Sequence, residues 1–338
     1  MKQFNHTQED IINAKNLKLV IKEGSKNIET LNKVQKVTKI CSIVLTYLFL
    51  TVMALIVIVP FYWMISTSLK SHSEIRNEMT FYPHVVQWIN YSVLFKGAEP
   101  GTILLDPTNP HSVSNTNIIS AFPFWTYLSN TLIVGILSTL GTLITTIFAA
   151  FAFSRLNFKG KDLLFTVFLG TMMIPGEMLS ITNYITVSKM HLLESKAGAL
   201  TAMIIPFWVS VFYIFQLRQN FRQIPNELYY AAKVDGKSDW QYLWKVMVPL
   251  ASPALITILI LKVMGSWNSY IWPNLVANQE DWRLMTNGLR SYSPQFSGEP
   301  HQGIQMAATV VVTVPLLLLF IFFRKYIMRG VGRAGLKG

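Results

Sequence analysis

Gly236-Lys237-Ser238 ends like a loop that cradles nucleotide phosphates, G-x-x-x-x-G-K-[ST], in which backbone N–H groups and the lysine hold the anion. That pattern needs a glycine at position 231, which is Ala231, and no strand precedes it, so nucleotide binding by this route is not expected. The six histidines, His6, His72, His84, His111, His191 and His301, stand in no H-E-x-x-H or similar ligand spacing. There is no G-x-S-x-G elbow for a nucleophilic serine. Inside the apolar runs Glu177 and Lys262 are the only formal charges, and they make no acid–base pair for a hydrolase working within a bilayer. The expectation is a protein that is not an enzyme, with no metal and no cofactor. An ionisable residue at mid-membrane points first to a solute path. Lys262 is followed on roughly the same helical face by Gly265, Ser266, Ser269 and Tyr270. The other reading is that Lys262 pairs with backbone carbonyls or with an acid on a partner.

The elements that must hold these residues are membrane spans. Of 338 residues 51% are hydrophobic and only 14% charged, against about a quarter charged in soluble domains. Ile40 to Ser68 carries no charge, and Gly97 to Ser154 only Glu99 and Asp106. A helix crosses the hydrocarbon with roughly 20 apolar residues, which predicts an all-α polytopic protein with six spans near 40–65, 127–152, 163–187, 197–217, 249–272 and 303–323. The first run is too long for a cleaved signal peptide, and no A-x-A site follows it.

The net charge of +12 is a topological signal rather than a nucleic-acid patch. Twenty-one of the 29 Lys and Arg fall in residues 1–39, 154–162, 218–247 and after Phe323. Seven lie in 66–126, 188–196 and 273–302, and Lys262 is the last. Basic loops stay cytoplasmic, so both termini are expected inside. The expected parts are a basic arm (1–39), a membrane domain (40–323) with a long outer loop (66–126), a cytoplasmic loop (218–248) and a tail (324–338). Lipid is the expected surrounding, and no nucleic acid is. Cys41, alone, can form no internal disulfide.

Within the chain, residues 97–122 are dense in Gly, Pro, Asn and Ser, the composition of an ordered cap or a tolerated insertion. Ser138, Gly141, Thr142, Thr145 and Ala149 form a small-residue stripe suited to close helix packing. Pro175-Gly176-Glu177 should kink the third span. In the cytoplasmic loop, Pro225-Asn226 can start a helix with Asn226 as N-cap, and Asp235-Gly236 can end it. Ser238 with Gln241 forms a capping box for a second helix, whose Trp240, Leu243, Trp244 and Met247 recur on one side. Pro249 suits the first turn of the next span. The two alanines of the first helix leave a shallow surface for a partner, and the residues alone equally allow a loop with no partner.

The spacing resembles the EAA loop of permease subunits of binding-protein-dependent ABC importers, E-A-A-x3-G-x9-I-x-L-P. Here it reads Tyr230-Ala231-Ala232, Gly236, Val246, Val248 and Pro249, every interval matching. Pro225, Glu227, Leu228 and Asp235-Gly236 further resemble the carbohydrate branch, above all MalG-like subunits. So do "PFYWMISTSLKS" from Pro60, "AFAFSRLNFKGKDLLF" from Ala150, "TMMIP" from Thr171 and "SWNSYIWP" from Ser266. The resemblance implies a sugar permease in a bacterial plasma membrane, working with a second, MalF-like permease, an ABC ATPase dimer and an extracellular solute-binding protein. It implies that Glu227, Tyr230, Ala231, Ala232, Asp235, Gly236 and Pro249 couple the chain to the ATPase. Glu177, Lys262, Ser266, Trp267, Asn268 and Tyr270 are the expected substrate path. Three departures stand out: Tyr230 replaces the motif's leading Glu, with Glu227 one turn away; Glu177 replaces a usual Gln-like residue; and the arm and outer loop are long. A permease for another solute, such as glycerol phosphate or a peptide, is the alternative.

Overall fold

The computed structural model describes the backbone of residues 3–99, 118–296 and 299–335, with side chains for 35–99, 118–295 and 299–325. Contacts divide the chain into Met1–Trp63 and Met64–Gly338. The first unit is a single continuous helix, the leading part of α1 (Gln3–Ser68). The helix runs through residue 39 without a break, so the end of the basic arm is a change of composition and not of backbone.

Among the described residues the second unit is mainly helical, with one short strand pair, β1 (Gln295–Phe296) antiparallel to β2 (Glu299–Pro300). After α1 come the short helices α2 (His72–Asn77) and α3 (Ile89–Lys96). There follow α4 (Phe124–Arg155), α5 (Lys161–Gly170), α6 (Ser180–Lys189), α7 (Lys196–Ile204) and α8 (Val211–Gln223). The 218–248 loop and the residues just after it hold α9 (Asn226–Val234), α10 (Asp239–Tyr242) and, after a π turn at Leu243–Met247, α11 (Val248–Leu250). The chain closes with α12 (Ser252–Trp267), α13 (Ile271–Val276), α14 (Met285–Ser291) and α15 (Gln302–Gly335).

Among the described residues three helices are long and apolar enough to cross a membrane: Gln35–Ser68, Phe124–Arg155 and Gln302–Lys325. Three bent pairs complete six if each is one span. Lys161–Met173 with Gly176–Lys189 bends by 86° at the expected Pro175 break, and Lys196–Phe207 with Val211–Gln223 bends by 43°. The third pair, Asp239–Leu250 with Ser252–Trp267, bends by 76° and corrects the expected span at 249–272. The span helix starts at Ser252, with Pro253 in its first turn, and Pro249 lies on the loop side of the bend. It ends at Trp267, so Trp272 and Pro273 belong to the separate α13.

The helix α4 is the centre, packed on α7, α8 and α12. Its small-residue face is what permits this, since close approach in lipid requires short side chains. The fully buried members are Ser138, Thr139, Thr142, Thr146 and Ala150, a register slightly rotated from the expected stripe, in which Gly141, Thr145 and Ala149 are half-buried. Gly141 has a specific neighbour: a Cβ there would lie 2.2 Å from the Trp208 indole. Thr142 and Thr145 donate to the carbonyls of Phe207 (2.9 Å) and Trp208 (2.6 Å), and Trp208 Nε1 donates to the Leu137 carbonyl (3.2 Å). The break between α7 and α8 frees carbonyls that must be satisfied internally, and α4 supplies the donors.

The base of the outer insertion is ordered. Ala98 and Ile119 exchange both backbone hydrogen bonds, 2.9 and 2.8 Å, and Ile119 and Phe122 enter a core with Leu94, Tyr127 and Ala307. Residues 100–117, most of the Gly/Pro/Asn-rich stretch, lie outside the described residues.

Candidate functional site

Two places gather the residues singled out by sequence: the elbow at 226–250 and a cavity beside α12.

The elbow is built as its sequence dictates at the bend and differently at its start. The N–H groups of Gly236 and Lys237 bond the carbonyls of Lys233 (3.0 Å) and Ala232 (2.9 Å), the two bonds of a Schellman ending. Gly236 sits at φ +71°, the left-handed conformation that this ending uses. The Ser238 Oγ accepts from Gln241 N (3.3 Å), and Ser238 N donates to Gln241 Oε1 (3.2 Å), completing the capping box. Across the bend, Asp239 accepts from Tyr229 Oη (2.7 Å) and pairs with Lys233 Nζ (2.8 Å). The hydrogen bond from Lys233, then that from Tyr229, holds the Asp239 carboxyl below the usual carboxylate range. Asn226 is not the N-cap: it is the first helical residue, preceded by Pro225, and its side chain is taken by Arg155.

The inner face of the elbow is core. Ala232, Tyr242, Leu243 and Met247 are buried against Ile147, Phe151, Leu217 and Phe221 of α4 and α8. Each large side chain so buried contributes about 1.5–3 kcal/mol. The expected four-residue face of the second helix is therefore split. Leu243 and Met247 are buried, whereas Trp240 and Trp244 lean on Phe148 (ring centroids 5.7 and 6.2 Å) and remain exposed. The two alanines part company as well. Ala232 points inward, and the outward face carries Glu227, Leu228, Tyr230 (63% exposed), Ala231 and Val234 (89% exposed). Asp235 and Pro249 are exposed at the helix end and beside the bend. Glu227 has no cationic partner among the described residues.

Arg155, the last residue of α4, fastens the elbow to the spans. Its Nη2 donates to the carbonyls of Phe221 (2.7 Å) and Ile224 (2.5 Å), while Nη1 reaches the Asn226 side chain. One planar guanidinium thus collects the end of α8 and the start of α9. Sequence reading counted Arg155 only as loop charge, and its acceptors lie more than 60 residues away, beyond any local spacing.

The second place is a cavity of about 210 Å³ against α12. Lys262, Gly265, Ser266 and Ser269 line it, the helical face read from the sequence, and α4, α7, α8 and α13 contribute Ser138, Met203, Tyr213 and Trp272. Lys262 Nζ donates to the Phe207 carbonyl at 3.0 Å and lies 5.8 Å from that ring's centroid. The backbone-carbonyl pairing expected of Lys262 in the alternative reading is thus present. The other expected path residues lie elsewhere. Trp267 is buried in the core around Tyr127 and Met285. Asn268 is exposed and donates to its own helix at Met264 (3.0 Å). Tyr270 is exposed past the end of α12, and Glu177 is exposed at the break in the third span.

Comparison with known proteins agrees with this architecture. Residues 141–333 match the family described as binding-protein-dependent transport system inner membrane component. The arabinooligosaccharides transport system permease protein AraQ of Bacillus subtilis (strain 168) is 27% identical over 294 residues, 86% of this chain and 94% of that protein. The sn-glycerol-3-phosphate transport system permease protein UgpE of Shigella flexneri serotype 5b (strain 8401) is 27% identical over 68% of this chain and 80% of its own length. Among solved structures, a chain of a bacterial ABC transporter involved in the import of the acidic polysaccharide alginate superposes with a TM-score of 0.67 at 22% identity. That match covers 84% of this chain and 95% of the other, and shares its fold. With three helices among the described residues long and apolar enough to cross a membrane, six spans if each bent pair is one, and a family match over more than half its length, this chain belongs to the inner-membrane components of binding-protein-dependent transport systems.

Proposed function

We propose that the chain is the permease subunit of an ATP-driven importer for a sugar or oligosaccharide, and that the elbow at 226–250 is where ATPase subunits push. The supporting observation is the construction of the elbow. A helix pair braced at its bend by Asp239 and rooted in α4 and α8 leaves Leu228, Tyr230, Ala231 and Val234 exposed on its outward face. Apolar residues grouped on an otherwise polar cytoplasmic surface mark a docking face, and a rigid lever transmits displacement better than a flexible loop. In this reading both termini face the cytoplasm across a bacterial plasma membrane. A second permease completes the pore, an ATPase dimer sits beneath, and an extracellular solute-binding protein delivers the solute. Residues 1–39 fix orientation, 40–323 form the transport domain and 324–338 the tail.

Tyr230 stands where an acid is expected, and Glu227, exposed in the same first turns of α9, is the acid available to a basic partner. The sugar reading is preferred to glycerol phosphate because the oligosaccharide permease aligns along 86% of the chain and the glycerol-phosphate permease along 68%. Gly236→Pro cannot adopt φ +71° and loses the N–H bonded to Lys233, and Ala231→Arg fills the outward face. Either should lower ATP-driven uptake by about tenfold or more while the complex still assembles, as judged by co-purification. Normal uptake by both intact complexes would overturn the coupling role.

A further inference from the structure

The cavity beside α12 contains more unmet hydrogen-bonding capacity than a packing defect would. An ammonium carries three N–H donors, and Lys262 uses one, on the Phe207 carbonyl. No carboxylate pairs with it among the described residues. The hydroxyls of Ser138, Ser266 and Ser269 and the phenol of Tyr213, which line the same cavity, make no hydrogen bond to another described residue. A cation within membrane spans is costly unless carbonyls, water or an anion face it; Lys262, half-buried, has the one carbonyl, and an anion would answer its remaining N–H groups. The space is about 210 Å³, below the ~300 Å³ at which drug-sized pockets begin and suited to a single sugar ring. Trp272 gives it an indole wall held in place by its Nε1 bond to the Ala202 carbonyl (3.0 Å).

We infer that this cavity is a subsite for an anionic sugar, with the acid group on Lys262, ring hydroxyls on Ser266 and Ser269, and the ring against Trp272. The inference rests on the importer reading and adds the charge class of the solute. A carboxylate, as in a uronic acid, and a phosphate ester share the required chemistry, and separate probes distinguish them. Unlike a neutral sugar, either would satisfy the two N–H groups that the Phe207 carbonyl leaves open.

The test uses the assembled complex of both permeases and the ATPases in lipid nanodiscs, titrated with digalacturonate, glucose 6-phosphate, galactobiose and glucose. At least one anionic probe should bind about tenfold or more tightly than its neutral counterpart, the size of effect a charge-assisted hydrogen bond provides. Lys262→Met should abolish that preference and Lys262→Arg should retain most of it. Ser266→Leu, which fills the cavity, should weaken every saccharide and serves as the second variant if Lys262→Met does not assemble. Equal binding of acidic and neutral probes by the unmodified complex would overturn the inference, as would a preference that survives Lys262→Met. Failed assembly of Lys262→Met, rescued by Lys262→Arg in a complex without acid preference, would assign the lysine to an ion pair with the neighbouring permease instead. ATP-driven galactobiose uptake without acid preference would overturn this subsite and leave the importer reading standing. Absence of any saccharide binding or uptake would remove both.

Discussion

Arg155 is the residue on which the elbow's position depends most, because three acceptors converge on one side chain. Removing it leaves the Ile224 carbonyl without its donor and the Phe221 carbonyl with only the Ile224 N–H (3.3 Å), and an orphaned buried polar group costs about 1–3 kcal/mol. In Arg155→Ala, backbone amide exchange in 226–234 should accelerate and uptake should fall severalfold. Arg155→Lys should recover only part, because an ammonium cannot reproduce the planar fork. Unchanged exchange in Arg155→Ala would contradict the anchoring role. The local site was partly legible at this scale. Lys262, Gly265, Ser266 and Ser269 follow helical spacing and do line one cavity. Trp267 and Asn268 are their neighbours in sequence, but successive residues turn by about 100° on a helix, so adjacency placed one in the core and the other on the surface. Ala232 illustrates the same limit: the EAA spacing identifies the pair of alanines, while only packing against Phe151 and Leu217 decides which of them faces out.

Elements were legible where they carry their own punctuation. Proline and glycine at 175–176 announce the 86° break, and the Ser238 capping box and Gly236 announce the elbow. The 76° bend before Ser252 was hidden, since residues 246–262 read as one apolar run up to Lys262 and hydropathy has no direction. The residues just before α15 carry an element-scale prediction. His301, just before α15, is 2% exposed, with its ring 5.1 Å from that of His72, which lies 3.7 Å from Glu299. Burial, aided by the nearby His72, lowers its pKa from 6.5 to about 4. The folded value lies below the unfolded one, so the neutral ring's contribution is complete above pH 6.5 and is lost as pH falls through about 4. Acidification across this window should destabilise the second unit by up to roughly 3 kcal/mol. Thermal unfolding in detergent should show that loss, and His301→Gln should flatten it. Identical pH slopes for the two proteins would contradict the assignment.

For the whole molecule, composition and charge placement indicated a polytopic helical membrane protein with a basic side, and the structure supplies six spans if each bent pair is one. What composition could not supply is how an apolar chain divides its helices between lipid, core and cavity. That division depends on side-chain register, as in the buried Ser138, Thr142 and Thr146 face of α4. The proposed coupling places the outward face of α9 against an ATPase. Single cysteines at Leu228, Ala231 and Val234, with Cys41 replaced by Ser, should be probed with short bifunctional reagents in the assembled complex. These exposed positions should cross-link to the ATPase with a yield that changes when ATP binds, and the inward Ala232→Cys should give no cross-link. A complex that imports its solute while none of the exposed positions reaches the ATPase would contradict it.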